Sequence, residues 1–97
     1  MFRITQGKGF HMHFANGWTI SVQFGPVNYC ANHGGDYFHP EKAGAAGSAT
    51  AEIAIFNSEG EFHQHPDWGD TVEGYLTPDD VLKYMNWTAK QKGRIEE

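Results

Sequence analysis

The chain has 97 residues, enough for one domain with a modest core and too few for two. Seven basic against twelve acidic residues give a formal net charge of −5 with no lysine- or arginine-rich run, which disfavours duplex nucleic acid and an anionic membrane surface as partners. Aromatic residues make up 14% of the chain, more than a disordered segment carries, so the sequence is expected to fold.

Residues 2–5, FRIT, form a short strand or a lead-in, and Gly7-Lys8-Gly9 breaks the chain after them. Phe10 to Phe24 reads as a β-hairpin turning on Asn16-Gly17. A two-residue loop would pair Phe14 with Thr19 and Met12 with Ser21, setting apolar against polar residues and leaving no single buried face. A three-residue loop of Ala15, Asn16 and Gly17, with Gly17 left-handed in a bulge, pairs Phe14 with Trp18, Met12 with Ile20 and Phe10 with Val22. All the apolar residues then share one face. His11, His13, Thr19, Ser21 and Gln23 share the other, where a ligand, a partner or water must satisfy them.

Gly25-Pro26 stops the strand, and a long aperiodic stretch runs from Val27 to Ser48. Its first half, Asn28 to Pro40, is dense in aromatic and ligand-type side chains. The second, Glu41 to Ala49, is small and linker-like. Thr50 to Phe56 alternates, with Ala51, Ile53 and Ile55 on one face, and Asn57-Ser58-Glu59-Gly60 is a turn signal leading to a return strand over Glu61 to His65. Val72 to Leu76 is the last strand expected.

Thr77 is the expected N-cap of a helix from Pro78 to about Lys92. Proline opens its first turn, Asp79 and Asp80 complement the positive helix terminus, and Asp80 stands where a capping box has its acceptor. Val81, Leu82, Met85, Thr88 and Ala89 mark the apolar stripe, and Gly93 is the stop, with lysines in the last turn. The expected fold is α+β: a small antiparallel sheet of about 4–5 strands, built on two hairpins and packed by one C-terminal helix. Residues 1–93 form the single domain, and 94–97 are a disordered tail. The exposed edge of such a sheet invites pairing with a second copy.

Six histidines include two His-x-His pairs, His11 with His13 and His63 with His65. Alternate strand residues share a face, so each pair can present two imidazoles to one ion, zinc being the natural candidate. Cys30 and His33, spaced Cys-x-x-His, can add a thiolate and a further imidazole. The competing reading is half-buried histidines on polar strand faces and a cysteine acting as a small hydrophobe. No motif supplies a positioned general base or a phosphate-cradling loop, so enzyme chemistry has the least support.

Asn28, Tyr29, Asn32, His33, Asp36, Tyr37 and Phe38 offer stacking surfaces with amide and carboxylate partners, the ingredients of a small-molecule or nucleotide pocket. The alternative is that these aromatics fold the loop onto the sheet. Glu59, Glu61, Asp67, Asp70, Glu73, Asp79 and Asp80 make the second half of the chain acidic, a field that draws a basic protein partner or simply solvates the surface. A lone cysteine suits a reducing compartment. No stretch reaches the roughly 18 apolar residues of a membrane span, and the N-terminus lacks the apolar run of a signal peptide, so the expected location is the cytoplasm.

The pattern F-A-N-G-W-T-I-S-V-Q-F-G-x-x-N-Y-C over Phe14 to Cys30, with A-E-I-A-I-F and G-Y-L-T-P-D-D-V, resembles small uncharacterised accessory proteins of tailed bacteriophages and prophages. The resemblance covers most of the chain and brings no catalytic residue with it. It implies a non-enzymatic protein in the host cytoplasm that binds a host protein, such as an immune effector it antagonises, or a host signalling molecule. No cofactor is implied.

Overall fold

A computed structural model describes residues 1–4, 8–25, 27–32 and 47–92. Five strands and one helix follow in chain order: β1 Phe2–Ile4, β2 Gly9–His13, β3 Thr19–Gln23, β4 Ala51–Phe56, β5 Val72–Leu76 and α1 Pro78–Ala89. The strands form one antiparallel sheet in the order β1-β2-β3-β4-β5, each beside its sequence neighbour. The α+β architecture expected from the sequence is the one found, and residues 2–4 are a strand and not a lead-in.

The bulged hairpin register holds. Phe10 faces Val22 and Met12 faces Ile20. The Phe14 amide donates to the Trp18 carbonyl at 2.9 Å, the Gly17 amide donates to the Phe14 carbonyl at 3.0 Å, and Gly17 has φ 88°. Parity then sorts the sheet into two faces. Trp18, Ile20 and Val22 join Ala51, Ile53, Ile55 and Leu76 in one buried cluster, onto which α1 lays Val81 and Tyr84, with Trp68 completing it. The helix contacts β3, β4 and β5 but neither β1 nor β2. The outer part of this apolar face is therefore left to Phe2, Phe10, Met12 and Phe14, of which Phe2 is 70% exposed.

Three expectations are corrected. The return strand over 61–65 does not form: Phe62 makes a single bridge to Phe56, and the chain then turns away at Pro66 to bury Trp68. The second hairpin is a turn, and β5 takes the place beside β4. The helix ends at Ala89, not near Lys92, with Lys90 as its C-cap and no basic residue in its last turn. Part of its capping comes from far away in sequence, because Asn16 Nδ2 donates to the carbonyls of Thr88, Ala89 and Gln91 at 3.0, 3.3 and 2.8 Å. The buried helix face is Val81, Tyr84 and Thr88, while Leu82 is 55% exposed and Ala89 is exposed. At the other end the capping box is complete, with Thr77 Oγ1 accepting from Asp80 N–H at 3.2 Å and Asp80 Oδ2 accepting from Thr77 N–H at 3.1 Å. Gly93 and the tail at 94–97 lie outside the described residues.

Between Ala51 and Ile53 on β4, the register slips against Leu76 and Glu73, so β5 carries one extra residue there. Tyr75 takes up the bulge at φ 56°, a left-handed conformation costly for a tyrosine. Its amide donates to the Tyr29 carbonyl at 2.8 Å, tying the segment after β3 to the edge of the sheet.

Candidate functional site

On the sheet face opposite α1, strand pairing sets out two rows. One runs His13, Thr19, Phe56; the other runs Arg3, His11, Ser21, Ala54, Val72. Among the described elements none packs on this face. Thr19 and Ser21 are nevertheless buried, at 9% and 7% exposed. The His11 and Phe56 rings lean towards each other across β3, with centroids 6.2 Å apart, and shield the small side chains between them. Phe62 extends the aromatic row, its ring 4.6 Å from Phe56.

The polar groups here are fixed in part. His13 Nδ1 lies 2.8 Å from Thr19 Oγ1, and Gln23 Nε2 donates to Ser21 Oγ at 3.2 Å. Burial holds the His11 pKa below its ordinary value, and the neighbouring Arg3 and His13 lower it further. His11 and His13 thus share a face as strand period two requires, their rings 6.1 Å apart.

His63 and His65 lie elsewhere. They sit on the helix side, where the His63 ring packs against Trp18 at 4.9 Å and the buried His65 ring against Trp87 at 4.4 Å and Tyr84 at 4.7 Å. The four histidines do not converge on one point, and among the described residues no group of three or more His, Cys, Asp or Glu is arranged to hold a metal ion. His65 Nδ1 accepts the Asp67 amide hydrogen at 2.9 Å, so in the neutral ring the proton is on Nε2.

Burial lowers the His65 pKa, outweighing the Asp67 carboxylate that raises it, while Lys83 and His63 lower it further. Because the folded value lies below the unfolded 6.5, the unfolded chain takes up the proton first. The stability that neutral His65 provides is complete above that value and is lost as pH falls through the folded pKa. Urea midpoints are expected to drop between neutral and mildly acidic pH. The drop should shrink in His65→Phe; an unchanged slope would show that protonation of His65 is not its source.

The segment after β3 is built into the fold. Asn28 Oδ1 accepts from Gly25 N–H at 2.9 Å, its Nδ2 donates to Glu52 Oε1 at 3.2 Å, and Asn32 Nδ2 donates to the Phe24 carbonyl at 2.8 Å. These amides anchor the loop. Tyr29 is 57% exposed beside them, and Cys30 is 1% exposed with its thiol donating to the Gly25 carbonyl, as a small hydrophobe would be. His33, Asp36 and Tyr37 lie outside the described residues.

A second feature lies on the helix side, beyond the reach of the sequence pattern. A groove of about 290 Å³ opens between the ends of β3 and β4 and the first turns of α1, lined by Val22, Phe24, Leu76, Val81, Leu82 and Met85 with small residues around Thr50. None of its lining residues is ionisable. Leu82, expected to pack on the sheet, is instead its exposed lip. The signal was the width of the stripe: an apolar residue one step off Val81 and Tyr84 faces sideways, not inward.

Among the described residues no helix is long and apolar enough to cross a membrane. No family model, curated protein or solved structure matches the chain.

Proposed function

We propose that the protein acts by stoichiometric binding to a host protein, as its phage resemblance implies, and that the contact is the groove between the sheet and α1. The observation that carries this reading is the lining itself: an open apolar groove of about 290 Å³ with no ionisable side chain. Such a surface holds an apolar group and offers nothing to move a proton or attack a bond. Its volume suits one or two large side chains of a partner. The net charge of −5, with Asp79 on the helix turn beside the groove, favours an apolar anchor flanked by basic residues. Blocking a host defence factor by occupying its surface needs no more than this.

Leu82→Glu tests the reading, because a side chain already 55% exposed can be changed without loss of fold. Tagged wild-type protein in a host lysate should retain one host protein at equal stoichiometry. The variant should bind that protein at least about tenfold more weakly, a cost on the scale of losing one interface hot spot. Equal retention by both would rule out the groove as the contact.

A further inference from the structure

The face opposite α1 lies on the other side of the sheet from the groove. We propose that Arg3, His11 and His13, with the Phe56–Phe62 pair beside them, bind a small phosphorylated aromatic ligand of the nucleoside phosphate class. Three observations lead there.

The first is charge. In an acidic chain this patch is locally basic: Arg3 stands directly across from His11, and His13 follows two residues on, on the same face. The charges that act on His11 are those of Arg3 and His13, and neither is a carboxylate. Arg3 forms no salt bridge and His11 no hydrogen bond among the described residues. A guanidinium and two imidazoles without anionic partners are suited to a phosphate, which Arg grips in a planar fork while each imidazole donates one hydrogen bond.

The second is the aromatic row. Phe62 is 56% exposed, held by its single bridge to Phe56 and by ring contact at 4.6 Å, so a face of a large apolar ring is left to solvent next to the basic patch. A planar base stacks on such a ring, whatever its sequence identity. The rings are laid out in sequence: Phe56 stands 6.2 Å from His11 and Phe62 a further 4.6 Å from Phe56, so the exposed ring lies one ring out from the basic side chains. That separation fits a ligand with a ring at one end and phosphate at the other better than a bare anion.

The third is preorganisation. His13 is held through Nδ1 by Thr19 Oγ1, leaving Nε2 for another partner, and His11 is held by its ring contacts with Phe56 and His13. For the two imidazoles, little side-chain freedom remains to be lost on binding. A polymeric nucleic acid is a poor fit, since one guanidinium and two imidazoles in a chain of net charge −5 supply no track along a backbone.

Titration with ATP, adenosine and inorganic triphosphate, followed by amide chemical shifts, tests the site. ATP should bind saturably and shift His11, His13, Ser21 and Phe56. Triphosphate and adenosine should each bind at least about tenfold more weakly, as expected when cation contacts and stacking each contribute on the order of 1–3 kcal/mol. Arg3→Ala and Phe62→Ala, both at exposed positions, should each weaken ATP by about tenfold while Leu82→Glu leaves it unchanged. The proposal fails if ATP binds no more tightly than triphosphate, if its shifts fall away from these strands, or if either variant binds ATP as the wild type does.

Discussion

Asn16→Ala is expected to lower the unfolding free energy by about 2–4 kcal/mol, one of the largest effects of any single side chain outside the apolar core. The residue makes two sets of bonds. Its Oδ1 accepts from the Trp18 amide at 2.9 Å and closes the hairpin turn, while its Nδ2 gathers the carbonyls of Thr88, Ala89 and Gln91 at the end of α1. The last carbonyls of a helix lack the i+4 donors that satisfy the earlier ones, and of these three the Thr88 carbonyl also accepts the Gln91 amide hydrogen at 3.3 Å. Trp18 supports the same junction through its Nε1, which donates to the Lys92 carbonyl at 2.9 Å. Alanine removes the donor and acceptor together, so the first hairpin and the helix lose their common clamp. Asn16→Asp separates the two roles: it keeps the acceptor for Trp18 but sets a carboxylate against the negative end of the helix. Urea unfolding should rank asparagine above both variants, with aspartate no better than alanine. Aspartate matching asparagine would show that only the turn matters.

That clamp also explains where the sequence was legible. The hairpin register followed from parity alone, because only one loop length puts Phe10, Met12 and Phe14 on the same face as Trp18, Ile20 and Val22, and the structure has that register. The capping box was equally local, three residues from end to end. The C-terminal end of the helix was not, since its last carbonyls are met by a side chain 72 residues earlier as well as by Lys90 and Gln91 beside them. The expected return strand failed for a related reason. Residues 61–65 alternate weakly, but Trp68 buried against Tyr84 and His65 draws the chain off the sheet after one bridge.

The candidate sites were legible in part. Period two correctly placed His11, His13, Thr19, Ser21 and Gln23 together, but it could not show that His11 and Phe56 meet over β3, because that contact spans two strand pairings. Arg3 entered the patch only through the pairing of β1, whose three residues are too few to carry a pattern. The two His-x-His pairs look alike in sequence and separate in space, one on a strand and one in a loop packed under α1. A spacing rule that holds on strands carries no information once the strand is absent.

Gly74→Ala should be nearly as costly as the loss of Asn16, by about 2–3 kcal/mol, and for a steric reason. A Cβ at position 74 would lie 2.6 Å from the Tyr29 Cβ and 2.7 Å from the Tyr29 carbonyl oxygen, the atom that accepts the Tyr75 amide hydrogen. The backbone must move on one side or the other. Moving β5 is opposed by its pairing with β4 and by Leu76 in the core, so the segment 27–32 should lift instead. Lifting it would release Tyr75 from the bond that accompanies its left-handed backbone, and the amides of Tyr29 and Ala31 from Glu52 and Thr50. Cys30, 1% exposed within that segment, reports the movement directly. Its thiol should react with an aromatic disulfide reagent much faster in Gly74→Ala than in the wild type, under conditions where the core remains folded. Gly69→Ala is the matched control, since a Cβ there meets nothing within 4 Å, and it should change stability by no more than about 0.5 kcal/mol. Unchanged labelling and unchanged stability in Gly74→Ala would mean that the segment shifts freely and that its hydrogen bonds to Glu52 and Thr50 do not hold it in place.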